Sequence, residues 1–232
     1  MRILAITTST PRFEAAFLDG EAIRVGGYDG EKAHAERMFA EIEAVLAGAD
    51  RASLDAIACD VGPGSFTGIR VGLAAAKGIA LALDIPLVPI TSLETIATAA
   101  RLGGAEATIV AVLDARRGEI FVQRFDRAEA GEPHHLPRSA QGELVRAHPD
   151  AAFCGLPLGA GERRLADKVH GIETPSAAVM ARIARDRLAR DRIAAAPPLE
   201  LVEPVYLRPP DAKLPGSTSP PQPSPEAPEP KR

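Results

Sequence analysis

The chain has no tryptophan, two tyrosines and seven phenylalanines in 232 residues, so only 4% of it is aromatic. Its 46% hydrophobic content must build a core from Ala, Leu, Ile and Val, enough for one large domain or two small ones. A basic surplus is also missing: 27 Lys and Arg stand against 31 Asp and Glu, and the net charge of −4 argues against a surface that grips nucleic acid by itself. A role near RNA then needs a partner. Cysteine is limited to Cys59 and Cys154, each inside an apolar run, which points to reduced core thiols and a cytoplasmic location, not to a disulfide or metal pair. Met1 to Ile6 is too short for a signal segment, and no apolar stretch reads as long and clean enough to span a bilayer. No membrane association is expected.

Catalytic motifs are also scarce. None of the five histidines, His34, His134, His135, His148 and His170, has another four residues on, so no helical metal pair exists, and His134-His135 reads as surface loop. Ser65 has no base supplied by motif spacing, and no Gly-x-Ser-x-Gly elbow is present. The first strand runs into Thr7-Thr8-Ser9-Thr10, hydroxyls without a carboxylate for magnesium. Asp114 ends a later strand and is either such a carboxylate or a turn former. Gly155 to Gly161 is either a phosphate loop or a plain connection.

What is present centres on Gly62-Pro63-Gly64-Ser65-Phe66-Thr67-Gly68-Ile69-Arg70, between an apolar run of strand length, Leu54 to Val61, and a helical segment ending at Leu83. The loop lacks the Gly-Lys-Ser/Thr ending of a P-loop, although any helix start can hold an anion. Within the helix, Gly68, Gly72, Ala76 and Ala80 form a ridge of small side chains. Either a second helix approaches there, or this is a core helix with one solvated stripe holding Arg70 and Lys77. Arg70 sits at the wrong end for the helix dipole, so something other than helix stability fixes it.

Before the loop, strands are expected at Arg2 to Thr8, Phe13 to Leu18 and Glu21 to Gly26, with a tight turn at Asp19-Gly20, then a helix capped by Asp29 and running to Leu46. After it come a strand at Leu87 to Ile90 and a helix from Ser92 to about Arg101, opened by the capping box Thr91-x-x-Glu94. Thr108 to Val122 repeats the chain's opening in outline: an apolar strand, a polar turn holding Arg and then Glu, and a second strand. A polar connection from Arg127 to Gln141, a short helix at Glu143 to Ala147, a strand at Ala151 to Gly155 and a helix from Pro175, capped by Thr174, to Arg192 complete the second half. Residues 209–232 form a proline-rich tail, expected to be disordered from Lys213 onward because it has too little apolar surface to offset chain ordering.

Met1 to Ile6, Gly62 to Arg70, Asp114-Ala115-Arg116-Arg117-Gly118-Glu119 and Glu203-Pro204-Val205-Tyr206-Leu207-Arg208 together resemble the TsaB family, also called YeaZ. The resemblance covers residues 1 to 208. It implies a two-lobed α/β fold like the actin and Hsp70 ATPases (ASKHA, RNase H-like), with duplicated mixed sheets flanked by helices. The lobes would be residues 1–104, binding the partner, and 105–208. The implied function is that of a non-catalytic, activating subunit of the complex that forms N6-threonylcarbamoyladenosine at position 37 of ANN-decoding tRNAs. The catalytic paralogue TsaD would be its partner, TsaE the ATP-hydrolysing third member, and tRNA would be met only through the complex.

The resemblance further implies that the first two helices pair with those of TsaD. Carried onto this chain, the partner-binding residues are Ala35, Met38, Phe39 and Ile42, with Gly64, Ser65, Phe66, Thr67, Gly68, Arg70, Gly72, Ala76, Lys77 and Ala80. No catalytic, cofactor or metal residues are expected; ATP or ADP with Mg would bind only at the partner interface, and a homodimer could form when the chain is alone. One departure stands out: Thr7-Thr8 replaces the family's Asp-Thr, which counts against independent ATPase activity, and the paralogue's metal-binding His pair is reduced to His34. The rival reading is a self-sufficient small-metabolite kinase of the same fold.

Overall fold

The computed structural model describes residues 1–30, 34–105, 108–127, 129–155 and 172–208. The chain opens with β1 (Arg2–Thr7), β2 (Arg12–Asp19) and β3 (Ala22–Asp29), then α1 (His34–Val45), β4 (Ala56–Asp60), α2 (Phe66–Leu83), β5 (Leu87–Ile90) and α3 (Ser92–Leu102). The second half holds β6 (Ile109–Arg116), β7 (Glu119–Phe125), β8 (His134–Pro137), α4 (Gln141–Ala147), β9 (Ala152–Gly155), α5 (Ala177–Arg190) and the short α6 (Arg192–Ala195). The proline-rich tail and most of the second glycine-rich turn lie outside the described residues.

Two mixed sheets result, ordered β3-β2-β1-β4-β5 and β8-β7-β6-β9. In each, the first three strands form an antiparallel meander and the founding strand pairs in parallel with the strand after the next helix, β1 with β4 and β6 with β9. This repeated topology is the two-lobed arrangement expected from the outline repeat. Alternation along the strands divides the apolar side chains between faces. Leu4 and Ile6 of β1 pack with Met38, Ile42 and Val45 of α1 and Leu73, Ala76 and Ala80 of α2, whereas Ile3 and Ala5 pack with Met180, Ala181 and Ala184 of α5.

The helices cross between the halves. Leu93, Ile96, Ala97 and Ala100 of α3 pack on Ile109, Ala111 and Cys154 of the second sheet, and α5 covers the free face of the first. A boundary at residue 104 thus separates the sheets but assigns each crossing helix to the wrong core. Arg187 of α5 ties the two helices, donating to both carboxylate oxygens of Glu94 and to the Pro89 carbonyl. The capping box at Thr91 is therefore half made: Thr91 Oγ1 accepts from Glu94 N at 3.2 Å, but the Glu94 side chain turns to Arg187.

Other boundaries move for local reasons. β3 continues past Gly26 because Gly27 lies flat on β2, where a Cβ would sit 2.4 Å from the Phe13 carbonyl oxygen. Asp29 is consequently a strand residue beside Arg12, not a helix cap. The connection expected from Arg127 to Gln141 contains β8, where His135, expected on the surface, is half-buried and packs on Phe121. α5 starts at Ala177, not Pro175, and its cap comes from β2: Glu14 Oε1 accepts from Ala177 N at 2.8 Å and Ser176 Oγ at 3.0 Å. By length and composition α2 could cross a membrane, contrary to expectation; here Ile69, Leu73, Ala76 and Ala80 instead seat it on the first sheet.

Candidate functional site

The loop from Gly62 to Ser65 is shaped by close backbone approaches. Gly62 has φ 97°, and a Cβ there would lie 2.7 Å from Ile69 Cδ1 and 3.1 Å from the Val205 carbonyl oxygen. A Cβ on Gly64 would meet the Ser9 carbonyl oxygen, which accepts from Ser65 N at 2.7 Å. Val205 N donates to the Val61 carbonyl, binding the C-terminal segment along the loop. Ser65 caps α2, accepting from Gly68 N at 3.2 Å.

Beneath the loop lies Asp60, 1% exposed at the end of β4. Its carboxylate accepts from Thr7 Oγ1 (2.8 Å), Ser9 Oγ (2.5 Å), Ser92 Oγ (2.7 Å) and Gly62 N (2.8 Å). Burial pushes its pKa up and the four hydrogen bonds oppose that shift. Sequence reading passed over Asp60; a lone carboxylate inside an apolar strand run was the available signal. Thr7, noted there for lacking the family's carboxylate, is now seen to donate to one on the neighbouring strand. That carboxylate is enclosed by its donors and serves to join β1, β4, the loop and α3. Cys59 and Cys154 are buried, and burial pushes the Cys154 thiol up to about 12.

The small-residue ridge faces inward. A Cβ on Gly68 would lie 2.0 Å from the Thr8 carbonyl oxygen, one on Gly72 would lie 2.1 Å from Thr8 Oγ1, and Ala76 and Ala80 are in the first core. Gly68, Gly72, Ala76 and Ala80, expected at a partner interface, are therefore spent on this chain's own sheet, as are Met38 and Ile42 of α1. The reason is that a small side chain permits close approach to a strand as readily as to a foreign helix. The outer face of the helix pair carries Phe39, 52% exposed, and Leu81, 75% exposed, with Ala74 exposed and Gly78 facing open space. Lys77 is half-buried, and Ala35 lies in α1.

Phe66, Thr67 and Arg70 are exposed at the start of α2, where they join a cleft of about 1060 Å³. Across it stand the β6–β7 hairpin and the segment from Val205 to Arg208. The Arg70 guanidinium lies 3.7 Å from the centre of the Phe66 ring, and its Nε donates to Tyr206 Oη at 2.8 Å. Phe66 and Tyr206 are themselves 5.1 Å apart. This stack answers why an arginine stands near the N-terminal end of α2. Arg208 donates to Glu119 and to the Ala115 carbonyl, and with His135 it holds the Glu119 carboxyl below its usual range. Among the described residues no cluster of three or more His, Cys, Asp or Glu could hold a metal ion.

Residues 28–183 match the family model described as TsaD, tRNA N6-adenosine threonylcarbamoyltransferase. The tRNA threonylcarbamoyladenosine biosynthesis protein TsaB of Escherichia coli is 31% identical over 93% of this chain and 99% of its own length. The chain belongs to the TsaB family. YeaZ from Pseudomonas aeruginosa, a solved structure, is similar with a TM-score of 0.69 and 25% identity, covering 89% of this chain and 99% of that one. A tRNA N6-adenosine threonylcarbamoyltransferase of Erythrobacter litoralis is 51% identical, but over 32% of this chain and 22% of its own length. The likeness to TsaB thus runs end to end, while that to the transferase is local. TsaB relatives are named as proteins of tRNA threonylcarbamoyladenosine biosynthesis.

Proposed function

We propose that this chain is the non-catalytic, activating subunit of the complex that forms N6-threonylcarbamoyladenosine at position 37 of ANN-decoding tRNAs, and that it acts by binding a TsaD-type catalytic paralogue. The observation that carries this reading is the outer face of α1 and α2. Phe39 and Leu81 offer apolar area, and Ala74 and Gly78 leave room for a partner helix to approach at the short end of the usual 8–10 Å. The buried residues beneath, Met38, Ile42, Gly72 and Ala76, set the angle of the two helices without touching the partner. A TsaE-type ATPase and tRNA join through the complex, ATP or ADP with Mg binds only at the partner interface, and the same face pairs two copies when the paralogue is absent. The whole assembly is cytoplasmic.

Co-purification with a TsaD-type protein tests the interface. Phe39→Asp and Leu81→Asp should each abolish co-elution while leaving the melting temperature of the isolated chain almost unchanged, because both side chains are exposed. Retained co-elution in both variants removes the α1–α2 face from the account. Depletion of the protein followed by mass spectrometry of tRNA nucleosides tests the function: threonylcarbamoyladenosine should fall, and an unaltered level rejects the assignment.

A further inference from the structure

Among the described residues the two sheets have four outer strands, and three of them are short. β5, β8 and β9 have four residues each; β5 carries Pro89 within it, and β8 follows Pro133 and ends at Pro137. β3 is different: it has eight residues, contains neither proline nor lysine, and keeps register with β2 from Ala22 to Asp29 without a bulge. Edges of this length are ordinarily shortened, kinked, guarded by lysine or covered, because their free backbone groups recruit another strand. We propose that the outer edge of β3 binds the same edge of a second copy of this chain, the two strands running antiparallel about Gly26.

The ladder fixes which groups this edge offers. Gly30 N donates to the Pro11 carbonyl at 3.0 Å, and along an antiparallel pair such bonded positions alternate with non-bonded ones. Counting back from Gly30, Tyr28, Gly26, Arg24 and Ala22 turn their N–H and C=O toward β2, while Asp29, Gly27, Val25 and Ile23 turn theirs outward. Among the described residues no other backbone bond reaches those four. Antiparallel pairing about Gly26 sets Ile23 opposite Asp29 of the second copy and Val25 opposite its Gly27. Every outward donor and acceptor on both strands is then satisfied.

Side chains select a second copy as the occupant. Gly26 meets Val45 and Glu41 of α1, so alternation turns Val25 and Gly27 to the opposite face. There Val25 is 50% exposed, and Gly27 stays bare because a Cβ would meet the Phe13 carbonyl oxygen. Pairing about Gly26 seats each Val25 over Gly27 of the other copy, a knob and a notch matched in both directions, as a twofold interface requires. Charge selects the strand direction. Near one end of β3, Arg24 reaches the Ala47 carbonyl and the Phe17 ring but no carboxylate among the described residues. At the other end the Asp29 side chain is 81% exposed and lies 3.4 Å from Arg12. Antiparallel pairing brings the Arg24 end of each strand to the Asp29 end of the other, whereas parallel pairing sets like charges side by side. Any extended peptide fits the backbone groups; the matched knob and notch and the opposed charges belong to a second β3.

Sedimentation equilibrium of the full chain carrying Phe39→Asp provides the test. That substitution removes pairing through the α1–α2 face, and no paralogue is needed, so the result is separable from the scaffold reading. The protein should be dimeric at roughly 100 μM. Val25→Pro added to it removes an outward N–H and spares the β2–β3 ladder, and should weaken dimerisation roughly tenfold or more. Val25→Lys, which leaves the backbone unaltered and guards the edge with charge, should do the same, and both variants should keep a cooperative melt. Val25→Cys reports the register: as diagonal neighbours the two copies of this residue lie about 7–8 Å apart, within reach of a short bismaleimide. Cys59 and Cys154 are buried and do not compete for it, so a cross-linked dimer is expected. A monomer at that concentration, a dimer that withstands both the proline and the lysine, or no cross-link overturns the proposal.

Discussion

At the scale of single residues, Asp60 sets burial against hydrogen bonding. Desolvation disfavours its charge, and hydrogen bonds from Thr7, Ser9, Ser92 and Gly62 favour it; desolvation is the larger, so the folded-state pKa is raised. A raised carboxyl pKa means that the folded protein holds this proton more tightly than the unfolded chain. Its stabilising contribution is then full below the unfolded pKa and is lost as pH rises through the folded one. Asp60→Asn cannot titrate, so the stability of the native chain relative to this variant should be greatest in acid and decline toward neutral pH. Urea unfolding midpoints across that range measure it, and a difference that grows with pH would show that the hydrogen bonds prevail. A lone carboxylate in an apolar strand run marks Asp60, but its partners were not legible from sequence, because they come from β1, the β1–β2 connection, the loop and α3.

At the scale of elements, α2 has two stripes of small residues with opposite consequences. Gly68 abuts the backbone of Thr8, so a methyl group there forces the helix off the sheet. Gly78 faces open space, where alanine merely restricts the unfolded chain and improves helix propensity. Gly68→Ala should destabilise the isolated chain by about 1–3 kcal/mol, whereas Gly78→Ala should stabilise it by roughly 0.5–1 kcal/mol. Thermal melts of the two proteins decide the matter; the reverse order would mean that the ridge is not packed on β1. The i, i+4 spacing of Gly68, Gly72, Ala76 and Ala80 was plain in the sequence, but spacing cannot say whether a strand or a foreign helix fills the groove. For the same reason a bulky residue at Gly72 would test folding and not partner binding.

At the scale of the whole molecule, the crossing of α3 and α5 makes the two sheets depend on each other. A fragment ending at residue 104 keeps the first sheet but loses α5, exposing Ile3, Ala5, Ala16, Leu18, Ala58 and Val88 on one face. It also leaves the apolar side of α3 without Ile109 and Ala111. Residues 1–104 alone should therefore show no cooperative melt, whereas the full chain unfolds as one unit. Circular dichroism on both reports it, and a sharp transition in the fragment would establish an independent first lobe.

Sequence alone determined the strand and helix order apart from β8, the outline repeat and the loop-to-helix turn, because apolar periodicity, capping residues and glycines act within a few positions along the chain. The family followed from motifs spread over residues 1 to 208. The tertiary structure decided which core each helix joins, which face of α2 is covered, that Asp60 joins four segments, and that Arg70, Arg116, Arg117 and Arg208 meet around one cleft. Those outcomes depend on contacts between residues tens to more than a hundred positions apart, such as Arg70 with Tyr206, and no local pattern encodes them.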